Sequence, residues 1–152
     1  MTNSILINVP PSFKVTKEQF EQLATANRDV RLELTSTGEL IIMPPTGGNT
    51  GKRNLDIEGQ LWFWNRQTGL GVVFDSSTGF CLPNGAVRSA DAAWVSKAKW
   101  DALSIEQKDK FPPISPDFII ELRSKSDAIE SLRKKMQEYI DNGVSLGWLI
   151  DP

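Results

Sequence analysis

The fold of this chain is decided by the stretch Pro116-Asp117-Phe118-Ile119-Ile120-Glu121-Leu122-Arg123-Ser124, an apolar run with a carboxylate in its middle. Such a run predicts a short strand that is covered on both faces. Because side chains alternate along a strand, Glu121 shares one side with Ile119 and Arg123 and is expected in the core. A buried carboxylate costs several kcal/mol unless it is paired or bound to a metal, so a structural ion pair and a metal site both stay open here.

The composition limits the classes of protein to which the chain can belong. Its 152 residues are 39% hydrophobic and 24% charged, which is typical of one soluble globular domain. The sequence lacks a long apolar segment and an N-terminal signal pattern, so a cytoplasmic location is the default expectation. Residues 1–15, which contain Pro10-Pro11, are predicted to form an irregular arm.

The absence of histidine is the most informative count. It excludes Ser-His-Asp and Cys-His nucleophiles and His-ligated zinc hydrolases. The single cysteine, Cys81, cannot form an intrachain disulfide and is interpreted as core filling. Catalysis by this chain would therefore rely on carboxylates with an oxygen-binding cation such as Mg²⁺. The formal net charge of −2 counts against strong non-specific binding of nucleic acid, although a locally basic groove is compatible with it.

The pattern along the chain predicts a mixed α/β domain. Thr16 and Gln19 fit a capping box at the start of the first helix, and a turn through Gly38 joins two short strands. Residues 44–51 are interpreted as a flexible loop rather than a phosphate cradle, and a helix is predicted over residues 54–67. Further strands are predicted over residues 71–82 and 86–95, followed by short helices over residues 97–110, the central strand, a helix from about residue 129 and a last strand over residues 144–150.

Two further acids belong to the candidate site. Glu33 lies between Leu32 and Leu34, so it is expected to face solvent, but it stays a candidate because it precedes the turn. Asp91 shares a predicted strand face with Ser89 and other small residues. If that strand pairs with the central strand, Asp91 and Glu121 can bridge one divalent cation, which would offset their mutual repulsion. Metal-assisted hydrolysis of a phosphodiester suits such a pair best.

A cation near these acids would help to offset the charge that develops on the phosphate. On the helix after the central strand, Lys135 lies at the rim of the apolar stripe and can reach the sheet, whereas Lys134 faces solvent. Arg123, on the predicted face of Glu121, is the second candidate, but it cannot act as a base.

Taken together, these motifs resemble the Uma-type putative endonucleases, a bacterial family of the PD-(D/E)XK nuclease superfamily. The resemblance covers nearly the whole chain and rests on residues 32–34 with Gly38 and Glu39, residues 88–91, residues 117–121, Lys135 with Tyr139, and residues 143–152. Ala90 stands where the family has proline, and Arg123 stands where the superfamily usually has its lysine.

The resemblance implies an α/β restriction-endonuclease-like core with a central mixed β-sheet flanked by helices. It implies cleavage of DNA with Mg²⁺ or Mn²⁺, with Asp91 and Glu121 as metal ligands and Glu33 as a further acidic residue. Lys135 would be a migrated form of the superfamily lysine, with Arg123 as the other candidate. It also implies one nuclease-like domain over residues 1–152 that lacks the C-terminal strand region of the family.

Three functions stay open from the sequence. The first is a metal-dependent DNA endonuclease. The alternative is a catalytically inactive nuclease-fold module that binds nucleic acid or protein, favoured by the net charge, by Arg123 and by the lack of a recognition domain. The third is a hydrolase of another phosphoester. Exposed tryptophans could form a homodimer surface, and no membrane association is expected.

Overall fold

Two four-stranded sheets flanked by helices make up the fold, as seen in a computed structural model that describes residues 9–152. The first eight residues of the predicted irregular arm lie outside this range. The elements in chain order are α1 (Lys17–Ala26), β1 (Arg31–Leu34), β2 (Leu40–Met43), α2 (Gly48–Thr68), β3 (Gly71–Phe74), β4 (Phe80–Cys81), β5 (Val87–Arg88), β6 (Ala92–Ser96), α3 (Lys97–Asp101), α4 (Ile105–Asp109), β7 (Phe118–Leu122), α5 (Ile129–Asp141) and β8 (Leu146–Ile150).

The first sheet has the strand order β2-β1-β5-β4 and is antiparallel throughout. The second sheet has the order β3-β6-β7-β8, and it is mixed because β7 and β8 run parallel while its other pairs are antiparallel. The predicted fold class, a mixed sheet flanked by helices, is confirmed. The capping box of Thr16 and Gln19 and the turn at Gly38, whose φ is +86°, are also present.

Helices cover both faces of the second sheet, as the apolar run in β7 requires. On one face, Leu61 of α2 packs with Ala92 and Ile120. On the other face, Tyr139 of α5 packs in the cluster that contains Ile119. The alternation along β7 therefore sends Ile119 and Glu121 towards α5, which brings the carboxylate to the buried side of that helix.

The strand predicted over residues 86–95 is divided, because the chain leaves the first sheet after Arg88 and enters the second at Ala92. Ser89, Ala90 and Asp91 form the link between the sheets. Asp91 therefore does not lie on a strand face, and this part of the prediction is wrong. The residues that follow Asp91 do pair with the central strand as predicted, since Ala92 on β6 is opposite Ile120 on β7.

Helix α2 begins at Gly48, six positions before the start predicted at Asn54. Gly51 N–H donates to Gly47 O at 2.9 Å, so this part of the predicted flexible loop is already helical. Each interior glycine costs a helix about 1 kcal/mol relative to alanine, which is why the sequence disfavours this turn. Within residues 9–152, no helix combines the length and the apolar character needed to cross a bilayer.

Candidate active site

Lys135 holds two acids from different sheets in one cluster. Its Nζ lies 2.7 Å from Glu121 Oε1 on β7 and 2.8 Å from Glu33 Oε1 on β1. It also donates to the backbone oxygen of Ser89 at 2.9 Å. Burial alone would lower the pKa of Lys135, but the negative charges of Glu121 and Glu33 raise that pKa well above its ordinary value. Lys135 is therefore a permanent cation in this arrangement.

Glu33 is buried, with 2% of its surface exposed, so the expectation that it faces solvent is wrong. Glu33 is buried because β5 pairs with β1, with Val87 opposite Leu34. This pairing brings Arg88 and Ser89 next to the Glu33 carboxylate. Glu33 accepts from Arg88 Nη1 at 3.1 Å and from Ser89 N–H at 3.0 Å, in addition to Lys135. Burial would raise the pKa of Glu33, but Lys135 and Arg88 hold it below its ordinary value.

Arg88 and Glu138 complete the buried network, and neither was predicted as a site residue. Arg88 Nε donates to Glu138 Oε2 at 2.6 Å, while its Nη1 contacts Glu33. Two signals in the sequence point to them. Arg88 is a charged residue in a short apolar strand, and Glu138 lies three positions after Lys135, on the same face of α5.

Glu121 is the least compensated acid of the cluster. It is 4% exposed, and its Oε1 forms an ion pair with Lys135 Nζ at 2.7 Å. Burial raises the pKa of Glu121, Lys135 opposes the rise, and the negative charge of Asp91 adds to it, which brings the pKa to about 7. The charge of Lys135 therefore does not fully compensate the burial of the Glu121 carboxylate.

Asp91 lies near Glu121, because it directly precedes Ala92, which is paired with Ile120. Its Oδ2 accepts from Leu122 N–H at 2.7 Å. Burial raises the pKa of Asp91, while that hydrogen bond and the charges of Lys135 and Arg31 oppose the rise. The two neighbouring acids thus share Lys135 as a nearby cation, and Lys135 is also paired with Glu33.

Arg123 is directed away from this cluster. Its Nη1 contacts Asp151 at 3.0 and 3.1 Å, and its Nε donates to the backbone oxygen of Asp127 at 3.2 Å. Of the residues predicted for the site, the structure brings together Glu33, Asp91, Glu121 and Lys135. It gives Arg123 a separate ion pair at the end of the chain.

The donor set of Asp91 and Glu121 fits a small divalent cation. Mg²⁺ is usually held by one or two carboxylates and keeps waters or substrate phosphate oxygens in its other positions. Within residues 9–152, no group of three or more His, Cys, Asp or Glu side chains is arranged to hold a metal ion, so a protein-only cage is not present there. Mg²⁺ or Mn²⁺ would balance the charges of the buried Glu121 and the partly buried Asp91, whose pKa values are both raised.

Comparisons with known proteins give a family and a fold for the chain. A family model described as "Uma2: Putative restriction endonuclease" matches residues 17–152. Among solved structures, the chain is similar to a putative nuclease of the DUF820 group from Anabaena variabilis, with 18% identity and a TM-score of 0.72. The similarity covers 91% of this chain and 74% of that chain, and at this identity it shows the fold alone. No curated protein matches the chain.

Proposed function

This chain belongs to the Uma2 family of putative restriction endonucleases, and from that membership we propose that it is a nuclease that cleaves DNA with Mg²⁺ or Mn²⁺ at Asp91 and Glu121. The family supports a nuclease-type function, that is, hydrolysis of phosphodiester bonds. The cation, the DNA substrate and the roles of individual residues are our proposal.

One observation carries this proposal. Asp91, just before β6, accepts a hydrogen bond from the residue after Glu121, both acids have a raised pKa, and the cation beside Glu121 is shared with Glu33. A purely structural ion pair would match one acid with one base. In this cluster the carboxylates of Glu33, Asp91, Glu121 and Glu138 outnumber the cations of Lys135 and Arg88. The excess of negative charge supports a site that is completed by a metal ion.

Asp91 and Glu121 would hold the cation through their carboxylate oxygens. When bound, a divalent cation supplies Lewis acidity towards the phosphate and lowers the pKa of a water molecule. Lys135 keeps its proton on Nζ, so it acts as a fixed positive charge that stabilises negative charge developing on the phosphate, and not as a base.

Glu33 and Arg88 position Lys135. The two oxygens of Glu33 are divided between Lys135 and Arg88, and Arg88 is held in turn by Glu138. A lysine side chain has four rotatable bonds, and this network fixes its end group between the two sheets before substrate arrives. We therefore assign Glu33 a positioning role.

Nicking of supercoiled plasmid DNA tests the proposal. The wild-type protein is expected to nick in Mn²⁺ or Mg²⁺ and to stop in EDTA, and Asp91→Asn and Glu121→Gln are each expected to abolish the activity. Asp101→Asn, at an exposed carboxylate on α3, serves as the matched control and should cut like the wild type. Binding of DNA without cleavage, unchanged by EDTA, would contradict the proposal and identify a binding module.

A further inference from the structure

A cavity between α2 and the end of β3 has no role in the network described above. It has a volume of about 570 Å³, within the range of about 300–1,000 Å³ that is usual for ligand pockets. One wall is a stripe on α2 at helical spacing, formed by Leu55, Glu58, Gly59 and Trp62. The opposite wall is the end of β3 and the turn that follows it, including Val73 and Asp75.

The register of the second sheet brings the end of β3, which forms one wall of the cavity, towards Asp91. Phe74 on β3 is opposite Ala93 on β6, so the chain just after Phe74 runs alongside Asp91. Glu58, in the cavity wall, has a raised pKa because of partial burial, and the negative charges of Asp75 and Asp91 contribute to the rise. A group that occupies the cavity would therefore lie on the Asp91 side of the candidate site, at the face of the second sheet that α2 covers.

Trp62 gives the cavity an aromatic wall. Its surface is 55% exposed, and the guanidinium of Arg66, one turn further along α2, lies 5.5 Å from the centroid of its ring. Gly59, one turn before Trp62, has no atom within 4 Å of the position that a Cβ would occupy, so this part of the cavity wall is open. An exposed tryptophan with open space beside it and a cation near its ring is a typical stacking platform for nucleic-acid bases.

The polar groups of the cavity indicate the chemistry of its ligand. Glu58 and Asp75 are acceptors, Ser77 and Thr78 contribute hydroxyl groups, and no lysine or arginine lines the cavity. A phosphate group would be repelled by the two carboxylates. A nucleobase suits the cavity better, because its ring can stack on Trp62 and its amino group can donate to a carboxylate.

We propose that this cavity binds an unstacked nucleobase of the substrate strand, with Trp62 as the stacking residue and Glu58 as a hydrogen-bond acceptor. This inference rests on the proposed nuclease function and adds to it a subsite that selects strands with an accessible base. A base with an exocyclic amino group, such as cytosine, is the preferred occupant, since it donates to the carboxylate.

Binding of short single strands tests this inference without cleavage. The probes are fluorescein-labelled oligodeoxycytidylate and a strand of the same length built from abasic sugar-phosphate units, with anisotropy measured in Ca²⁺. The wild type is expected to bind oligodeoxycytidylate at least about fivefold more tightly than the abasic strand, which corresponds to the weaker end of base stacking. Trp62→Ala is expected to bind both strands alike, and Glu58→Gln to reduce the preference for oligodeoxycytidylate over oligothymidylate.

Phe63→Ala is the matched control, because Phe63 is 58% exposed on the same helix and does not line the cavity. It should retain the wild-type preference. A wild type that binds the two strands equally, or a Trp62→Ala variant that keeps the preference, would overturn the inference. Plasmid nicking reports on the proposed function separately, so a protein that cuts DNA without base-dependent binding would lose only this subsite, and one that binds bases without cutting would lose only the catalytic proposal.

Discussion

Lys135 Nζ lies 2.8 Å from Glu33 Oε1, although the two residues are 102 positions apart in the chain. The contact joins the last helix to the first strand and fixes the end of the lysine beside Glu121.

Replacing Lys135 with methionine should reduce plasmid nicking by at least about 100-fold, since a fixed charge on the reacting group is commonly worth that much. Lys134→Met removes the same charge from the exposed neighbouring position and should change the rate less than about threefold. Arg123→Met should also be mild, because Arg123 is paired with Asp151. Loss of activity in Arg123→Met with retention in Lys135→Met would reverse the assignment of the cation.

Glu33→Gln should destabilise the fold by about 3 kcal/mol, because the change leaves two buried cations without their shared carboxylate. The measurement is the free energy of unfolding in urea. Glu39→Gln removes a carboxylate from an exposed ion pair with Lys14 and should cost less than about 1 kcal/mol. Equal effects of the two changes would show that the buried network contributes no special stability.

The metal-induced rise in melting temperature should increase between pH 6 and pH 8. Without metal, the pKa of Glu121 is raised from its ordinary 4.5 to about 7, so its contribution to stability is complete below about pH 4.5 and is lost as the pH rises through 7. A divalent cation needs the ionised carboxylate, so below pH 7 it must displace a proton and its affinity should fall by roughly tenfold per pH unit.

Differential scanning fluorimetry with and without Mn²⁺ measures this dependence. In Glu121→Gln the carboxylate is replaced by a neutral amide, which cannot ionise to bind the cation. The response of this variant to Mn²⁺ should therefore be small at every pH. A wild-type shift of equal size at pH 6 and pH 8 would contradict the assignment of Glu121 as a metal ligand.

Tyr139→Phe should leave the free energy of unfolding unchanged or raise it by up to about 1 kcal/mol. The hydroxyl of Tyr139 is buried and has no hydrogen-bond partner, so its removal relieves a desolvation cost while the ring stays in the core. Thermal or urea unfolding tests this expectation. A loss of more than about 1 kcal/mol would indicate that the hydroxyl is hydrogen-bonded to a buried water.

Gly71→Ala should destabilise the protein by about 3 kcal/mol or more, because a Cβ there would lie 2.2 Å from the backbone oxygen of Val95 and 2.6 Å from the ring of Trp94. Gly59→Ala introduces the same methyl group into open space within a helix and should stabilise by about 0.5–1 kcal/mol. Urea unfolding of both variants compares them directly, and similar values would contradict the close approach at Gly71.

Much of the fold can be predicted from local signals. The capping box at Thr16, the apolar run of β7 and the turn at Gly38 are each contained in a few neighbouring residues, and each forms as expected. The position of Lys135 also follows from the geometry of one helix. Such features depend on the residues themselves rather than on which distant segments they meet.

The features that were predicted wrongly depend on pairing between distant strands. Glu33 is buried because β5 pairs with β1, and its partner Arg88 is 55 positions away. Arg123 leaves the face of Glu121 because β7 ends at Leu122, after which the alternation of side chains no longer applies. Asp91 lies off the strand face because the chain changes sheets, and neither periodicity nor propensity encodes that change.

The link formed by Ser89, Ala90 and Asp91 should not tolerate insertions or deletions. Connections between elements usually tolerate insertions and deletions. Here the backbone of Ser89 contacts Glu33 and Lys135 at one end, and Asp91 must meet Leu122 at the other. One added residue lengthens an extended chain by about 3.3 Å, more than a hydrogen bond can absorb. We therefore expect natural variation in loop length to be confined to other connections.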